Sequence, residues 1–321
     1  MIMTENEFEN LTFRVSETDA DVRLDSFLSQ KIDGWSRSRL QKLIESGDVL
    51  VSGKSAKASS KLRLGDEVEV ELIAPTAENF APEDIELDVV FEDDELAVIN
   101  KPAGMVVHPG AGVNSGTLAN AIAYHFKLQI PDTHSSNRIG IVHRLDKDTS
   151  GLIVVAKTQT THENLSEQFR NREVFKSYVA LVHGRTREDA GKIEEAIARD
   201  RANRLRMAII KSGRSALSLW RVRERFERFT LVDVEIKTGR THQIRVHLAW
   251  INHPIVGDAI YNGGRDKTVS DAKIRVAIAK LERFFLHAEI LRFNHPKTNE
   301  HLSFRIPLPS ELNDFLEALR A

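Results

Sequence analysis

Val142-His143-Arg144-Leu145-Asp146-Lys147-Asp148-Thr149-Ser150-Gly151-Leu152-Ile153-Val154-Val155-Ala156 is a polar, charged loop that runs into an unbroken apolar segment. A short aliphatic, β-branched run of this kind reads as a buried strand. A sheet therefore positions the loop, and loops positioned by sheets carry binding and catalytic groups. Asp146 and Asp148 stand in it as two carboxylates. Such a pair can bind a metal, act as acid and base, or supply a nucleophile. Turn chemistry is an alternative reading of the same residues, because Asp, Thr and Ser cap turns before strands.

Working outward, Leu96 to Asn100 is a second buried strand that ends at Lys101-Pro102. A polar helix is predicted near 160–172, then a strand from about Val174 to Val182 and another over Phe229 to Ile236. Period-two spacing puts Lys176 and Tyr178 on one side of their strand. Thr241 is placed to N-cap a helix over 242–251, with Ile244, Leu248 and Ile251 buried and Arg245 on a flank. Ser310 to Arg320 reads as a capped helix. Toward the N-terminus, Arg23 to Leu28 begins a short amphipathic helix, and Ser36 is the expected N-cap of a helix from Arg37 to Ser46 that ends at Gly47. Val49 to Val51 reads as a strand followed by a Ser52-Gly53 turn. Val68, Val70 and Leu72 alternate with glutamates as a half-buried strand. The predicted organisation is a disordered acidic tail at 1–12, a small module at 13–75, a linker at 76–87 and a large domain at 88–321.

The 321 residues are 41% hydrophobic and 29% charged, the balance of a globular protein. There is no cysteine, which excludes disulfides, zinc thiolates and cysteine nucleophiles. His242 and His247 lack the His-Glu-x-x-His arrangement, and Gly110-Ala111-Gly112 does not continue into a phosphate loop, so no metal and no cofactor are expected. No apolar run reaches the roughly 18–20 residues of a membrane span, and the acidic start lacks the features of a signal peptide. The expected location is the cytoplasm. Net charge is only −2, but the charges are segregated. Residues 31–63 hold eight Lys/Arg against three Asp/Glu, 76–100 hold nine Asp/Glu and no Lys/Arg, and 199–228 hold ten Lys/Arg against three Asp/Glu. Two basic segments separated by an acidic one can place a positive field where a polyanionic partner lies, although each cluster alone is also an ordinary solvated face.

The small module resembles the S4 RNA-binding domain in its order of helix, Ser-Arg-x-x-Leu-x-x-Leu-Ile helix, Gly-Asp-Val-x-Val, Gly-Lys and Leu-x-x-Gly-Asp-x-Val-x-Val. In that family the second helix and the following turn meet the RNA backbone, which implies phosphate contacts for Arg37, Arg39, Lys42, Lys54 and Lys57. The large domain is similar to the RluA family of RNA pseudouridine synthases. The likeness is carried by His143-Arg144-Leu145-Asp146 with Thr149-Ser150-Gly151-Leu152, by Asn100 to Pro109, by Lys176-Ser177-Tyr178, by Thr238 to Leu248, by His253 to Asp258 and by Leu286-His287-Ala288.

The resemblance implies an α+β fold, with a catalytic domain on a largely antiparallel mixed sheet flanked by helices and a small N-terminal α+β S4 domain. It implies that uridine is isomerised without a cofactor. The C1′–N1 bond breaks, the uracil turns, and C1′ rejoins at C5. Asp146 takes the place of the family's catalytic aspartate, and attack at C1′, attack at C6 and glycal formation all stay open. Arg245 takes the place of the arginine that pairs with it. Tyr178 takes the place of the active-site tyrosine, with Lys176 beside it toward the substrate. Arg144 is expected to touch RNA next to a base that has left the stack. His143 holds the loop.

The S4 segment together with Met105 to Gly110 is most similar to members that act on the helix 69 stem-loop of large-subunit (23S) ribosomal RNA. The expected partner is therefore ribosomal RNA, and the expected state is a monomer. Other S4-bearing members act elsewhere on 23S. A non-catalytic RNA-binding assembly factor has no need of Asp146, Tyr178 and Arg245 together. A glycoside hydrolase needs a second carboxylate across the site and no S4 module. Arg199 to Arg206 is richer in arginine than the family pattern, Ala216-Leu217-Ser218 replaces Ala-x-Thr, and Gly257 to Gly264 lengthens a turn.

Overall fold

The computed structural model describes residues 8–32, 35, 37–73, 81–109, 113, 115–127, 140–200, 202–203 and 206–321. The N-terminal module contains β1 (Phe8–Arg14), α1 (Leu24–Lys31), α2 (Arg37–Ser46), β2 (Val49–Val51), β3 (Lys54–Ser55) and β4 (Glu67–Ile73). Its sheet has the order β1-β4-β2-β3 and is antiparallel at every pairing. Val68 and Val70 of β4 turn inward onto Leu24, Phe27, Leu28, Leu40, Leu43 and Ile44, so the predicted period-two and helical patterns meet in one small core. Asp25 ties the two helices together. It is fully buried and accepts from Arg23, Arg37 and Gln41 at 2.7–3.1 Å. The hydrogen bonds from Arg23 lead the effects that hold its carboxyl far below the usual range, against the opposing pull of burial.

The strand β1 corrects the expected tail. Residues 8–12 were read as part of a disordered acidic stretch, yet they pair with β4 in a register that puts Leu11 opposite Val70 and Phe13 opposite Val68. The charges around them mask this alternation in the sequence. Residues 1–7 and the expected cap Ser36 lie outside the described residues.

The second unit contains β5 (Val89–Glu92), β6 (Leu96–Lys101), α3 (Leu118–His125), β7 (Ser150–Ala156), α4 (Gln159–Arg170), β8 (Phe175–His183), β9 (Ala190–Glu194), β10 (Ile197–Arg199), β11 (Met207–Ile209), β12 (Leu217–Arg225), β13 (Phe229–Ile236), α5 (Gln243–Trp250), α6 (Ala272–Leu281), β14 (Leu286–Asn294), β15 (His301–Arg305) and α7 (Ser310–Arg320). Its large sheet runs β5-β6-β7-β14-β8-β13-β12-β9, with β15 added to β14. The pairing of β7 with β14 is parallel, and the other described pairings are antiparallel. This is the expected α+β architecture.

Both faces of the central strands are covered, which explains why their sequences are apolar without a break. Ala97, Ile99, Ile153 and Val155 face the core shared with α3, α5 and α7. Leu96, Val98, Leu152 and Val154 face Leu165, Leu291 and Phe293. Helix α3 begins with a reciprocal cap in which the Thr117 hydroxyl accepts from Asn120 and the Asn120 side chain returns to the Thr117 backbone. Among the described residues no helix is long and apolar enough to cross a membrane.

Two helix starts differ from expectation. Thr241 does not cap α5. His242 occupies that position in a left-handed conformation, φ 53°, with no side-chain cap bond. Helix α7 starts after Pro309, also without a side-chain cap. The N-terminal module rests on the larger unit through an ion pair between Asp48 and Arg214 and a hydrogen bond from Thr241 Oγ1 to Glu71 Oε1 at 3.2 Å. The Thr241 hydroxyl is used there instead of on its own helix.

Candidate active site

The loop before β7 is fixed from below. Lys101, at the end of β6, is fully buried, and its ammonium donates to the carbonyls of Pro102 (2.7 Å), Met105 (2.7 Å) and Lys147 (3.0 Å). Gly104 N–H donates to Lys147 O at 2.9 Å, and Thr149 N–H donates to Asp146 O at 3.1 Å. Two segments far apart in sequence are thereby clamped around residues 146–149. At the start of β7, Ser150 Oγ accepts from Arg283 at 2.9 Å and is hydrogen-bonded to His287 Nδ1 at 2.8 Å. Burial and Arg283 push His287 down to about 4, so it stays neutral. Gly151 is required because its φ is +117° and a Cβ there would lie 2.4 Å from Ala288 O. His143 anchors the other end of the loop, as expected. Its Nε2 accepts from Val154 N–H at 3.0 Å, and its ring stacks on Phe169 with centroids 4.6 Å apart.

Asp146 projects from this clamped loop toward α5, with 18% of its side chain exposed. Arg245 meets it there, NH1 to Oδ2 at 3.2 Å. The guanidinium is only 4% exposed and is itself held by Asp258, Nε to Oδ2 at 2.7 Å and NH2 to Oδ1 at 2.9 Å. Its plane lies over Phe284, 4.3 Å from the ring centroid, and 5.1 Å from that of Tyr261. Arg245 is therefore not on the flank of its helix; it is a buried fork with one arm on Asp146. Burial pushes the Asp146 carboxyl up, but His242, Arg245 and Arg144 together outweigh it and hold the group below its ordinary value. His242 contributes only once protonated, so at neutral pH the two arginines maintain the charge.

Tyr178 sits on β8 opposite Ala288 and Val234, and is 6% exposed. Burial first, and the charge of Asp146 second, raise its phenol well above the ordinary value, so it stays neutral. Lys176, two residues earlier, lies over the Phe169 ring at 5.1 Å. Burial and the nearby Arg240 push its amine down to about 8. Arg144 is half-buried and within electrostatic reach of Asp146. The charge of Asp148 acts on Arg283.

The structure thus brings Asp146, Arg245, Tyr178 and Arg144 to one place, while Lys176 lies beside Phe169 and within electrostatic reach of Arg240. Arg37 is exposed but pairs with Asp25 at 3.0 Å, Lys54 is exposed on β3, and the side chains of Arg39 and Lys42 lie outside the described residues. Asp258, His242, Tyr261 and Lys101 were not assigned roles from sequence. Among the described residues no group of three or more His, Asp or Glu side chains is placed to share a metal ion.

Comparison with known proteins gives the same picture. Residues 95–250 match the family model described as RNA pseudouridylate synthase, and residues 22–68 match the S4 domain. An uncharacterized RNA pseudouridine synthase of Bacillus subtilis, YlyB, is 40% identical over 95% of this chain and 96% of its own. Ribosomal large subunit pseudouridine synthase D of Xanthomonas campestris pv. campestris is 42% identical over 95% of this chain and 91% of its own. Among solved structures, human RNA pseudouridylate synthase domain containing 4 is 26% identical with a TM-score of 0.58, covering 72% of this chain and 92% of that one. Identity of this level along nearly the whole length, over a sheet that presents an aspartate to a buried arginine, places this chain in the family of RNA pseudouridine synthases with an N-terminal S4 domain.

Proposed function

We propose that the enzyme isomerises uridines in large-subunit ribosomal RNA, at the helix 69 stem-loop, with Asp146 as its catalytic carboxylate. The observation that carries this reading is the fork of Arg245, fixed on Asp258 and aimed at Asp146. It keeps the carboxylate ionised and oriented in a part-exposed position, as a group must be to meet the electron-poor centres made when a glycosidic bond breaks. In the reaction C1′–N1 breaks and C1′–C5 forms, N1 ends with a proton, and C5 gives up its hydrogen to solvent. Electrons balance without an external oxidant or reductant, so the chemistry needs no redox cofactor. Tyr178 stacks its neutral ring on the uracil, and Arg144 occupies RNA space beside the extruded nucleotide.

The choice of large-subunit ribosomal RNA rests on the name and 42% identity of the synthase D relative and on the S4 match, and that of helix 69 on the resemblance carried by the S4 segment with Met105 to Gly110. Exposed Lys54 and Lys57 suit phosphate contact. The enzyme acts as a cytoplasmic monomer. The test is to map pseudouridines in ribosomal RNA from cells with and without the protein. Loss at helix 69, restored by the wild-type chain but not by Asp146→Asn, is expected. An unchanged map would reject the substrate, and rescue by Asp146→Asn would reject the residue.

A further inference from the structure

A line of hydrogen bonds leads from the basic hairpin of β10 and β11 to the first turn of α5. Met207 N–H, in β11, donates to the Tyr261 hydroxyl at 2.7 Å, and that hydroxyl lies 2.9 Å from His242 Nδ1. A phenol has one proton. Its oxygen accepts from Met207 N–H, which leaves its own proton free for His242 Nδ1, and in that arrangement Nδ1 is the unprotonated nitrogen. The imidazole proton is then on Nε2. The two rings meet edge to face, with centroids 5.7 Å apart at 83°. The Tyr261 ring is buried, with the guanidinium of Arg206 5.3 Å from its centroid and that of Arg245 5.1 Å away. Arg206 belongs to the hairpin, and Arg245 holds Asp146. The left-handed backbone at His242 is unfavourable for any residue but glycine by about 1–2 kcal/mol, so the surroundings impose it.

We propose that Tyr261 and His242 are positioning residues that couple the hairpin to Asp146, by fixing the imidazole as the neutral Nε2–H tautomer beside the carboxylate. The inference rests on Asp146 being the catalytic group. Its consequence is that RNA seated against Arg206 acts on the element that holds the phenol. Neutrality matters because an imidazolium would compete with Arg245 for the same carboxylate. Burial opposes protonation of His242 first; Asp146 and Asp258 favour it, while Arg245 and Arg144 oppose it, and the balance lies near about 4. The phenol proton on Nδ1 adds a directional block to that balance.

The test uses the full-length protein labelled with 15N-histidine, with the His242 resonances identified by their loss in His242→Gln. At neutral pH the wild type is expected to show a bare Nδ1 and a protonated Nε2. In Tyr261→Phe the imidazole should titrate at least one pH unit higher, and single-turnover pseudouridine formation at saturating RNA should fall about tenfold, the equivalent of one hydrogen bond. Its acid limb should move up in parallel, while the RNA Kd stays within about twofold. A proton on Nδ1 in the wild type overturns the proposal, as does a Tyr261→Phe pH profile that superposes on the wild type. The tautomer of the wild-type protein decides the matter even if the variant folds poorly. That readout does not use turnover, so its failure is distinct from failure of the Asp146 assignment, which Asp146→Asn tests.

Discussion

Asp258→Asn removes one negative charge from a fully buried position and leaves the shape of the side chain almost unchanged. In the native protein both carboxylate oxygens hold Arg245, and Oδ1 also accepts from the backbone N–H of Ile260 (3.1 Å) and Tyr261 (3.3 Å). An asparagine amide must point its NH2 at one of these donors, so at least one hydrogen bond becomes a donor–donor contact. Arg245 is left buried with Asp146 alone, at 3.2 Å. Two unit charges about 4 Å apart at an effective dielectric of about 20 interact by about 4 kcal/mol. Breaking a buried pair from one side costs about 3–5 kcal/mol. An amide oxygen in the place of Oδ1 keeps one bond to Arg245 and both backbone bonds, so the expected loss is near the lower end, about 3 kcal/mol. For a unit the size of the one that holds Asp258, residues 81–321, each kcal/mol moves Tm by about 2–4 °C, which gives a fall of about 6–12 °C. The fork also sets the aim of Arg245, so kcat should fall by about tenfold or more with the RNA Kd little changed. Thermal melts and release of tritium from 5-tritiated uridine RNA read both effects. A variant that melts within about 2 °C of the wild type and turns over normally would refute the role given to this carboxylate.

Lys176 carries a pH signature. Its amine sits near about 8 in the folded protein against 10.5 ordinarily, so RNA affinity should weaken as pH rises through 8, and Lys176→Arg should flatten that dependence in a binding titration. The unfolded chain holds this proton more tightly, so the group makes stability rise with pH between 8 and 10.5; urea melts of Lys176→Met should lack that rise. Gly151→Ala would drive a Cβ to 2.4 Å from Ala288 O at a φ of +117°. A loss of about 3 kcal/mol or more is expected, and a wild-type melting curve would contradict it. Replacing Lys54 and Lys57 together by alanine should lower the slope of log K against log salt by up to about 2. Turnover at saturating RNA should stay unchanged; an unaltered slope would remove these lysines from the RNA contact.

Features legible in the sequence are those written in local patterns. The change from polar loop to aliphatic run locates β7 and the loop before it, because a strand covered on both faces has no polar positions to interrupt it. The paired helices and alternating valines of the N-terminal module are equally local. Asp146, Arg245 and Tyr178 are singled out by motif resemblance alone, and their meeting is a property of the whole fold. Asp258 carries no sign of its role in the sequence, because an anchor 13 residues from Arg245 on the far side of a turn has no periodic signature. The link from Met207 through Tyr261 to His242 joins three separate elements and leaves no mark in any of them. Thr241 looked like a helix cap because local rules favour it, but its hydroxyl is taken by Glu71 from the other module. The strand β1 was hidden by acidic neighbours, although Leu11, Phe13 and Val15 alternate as a strand should.

The most direct test of the account is tritium release by Asp146→Asn from 5-tritiated uridine RNA, with RNA affinity measured on the same preparation. Asparagine keeps the size of the side chain and an acceptor for Arg245 but removes the charge. The account predicts no release above background at saturating enzyme, with an RNA Kd within about twofold of the wild type. Turnover by the asparagine variant, at any rate separable from background, would contradict it.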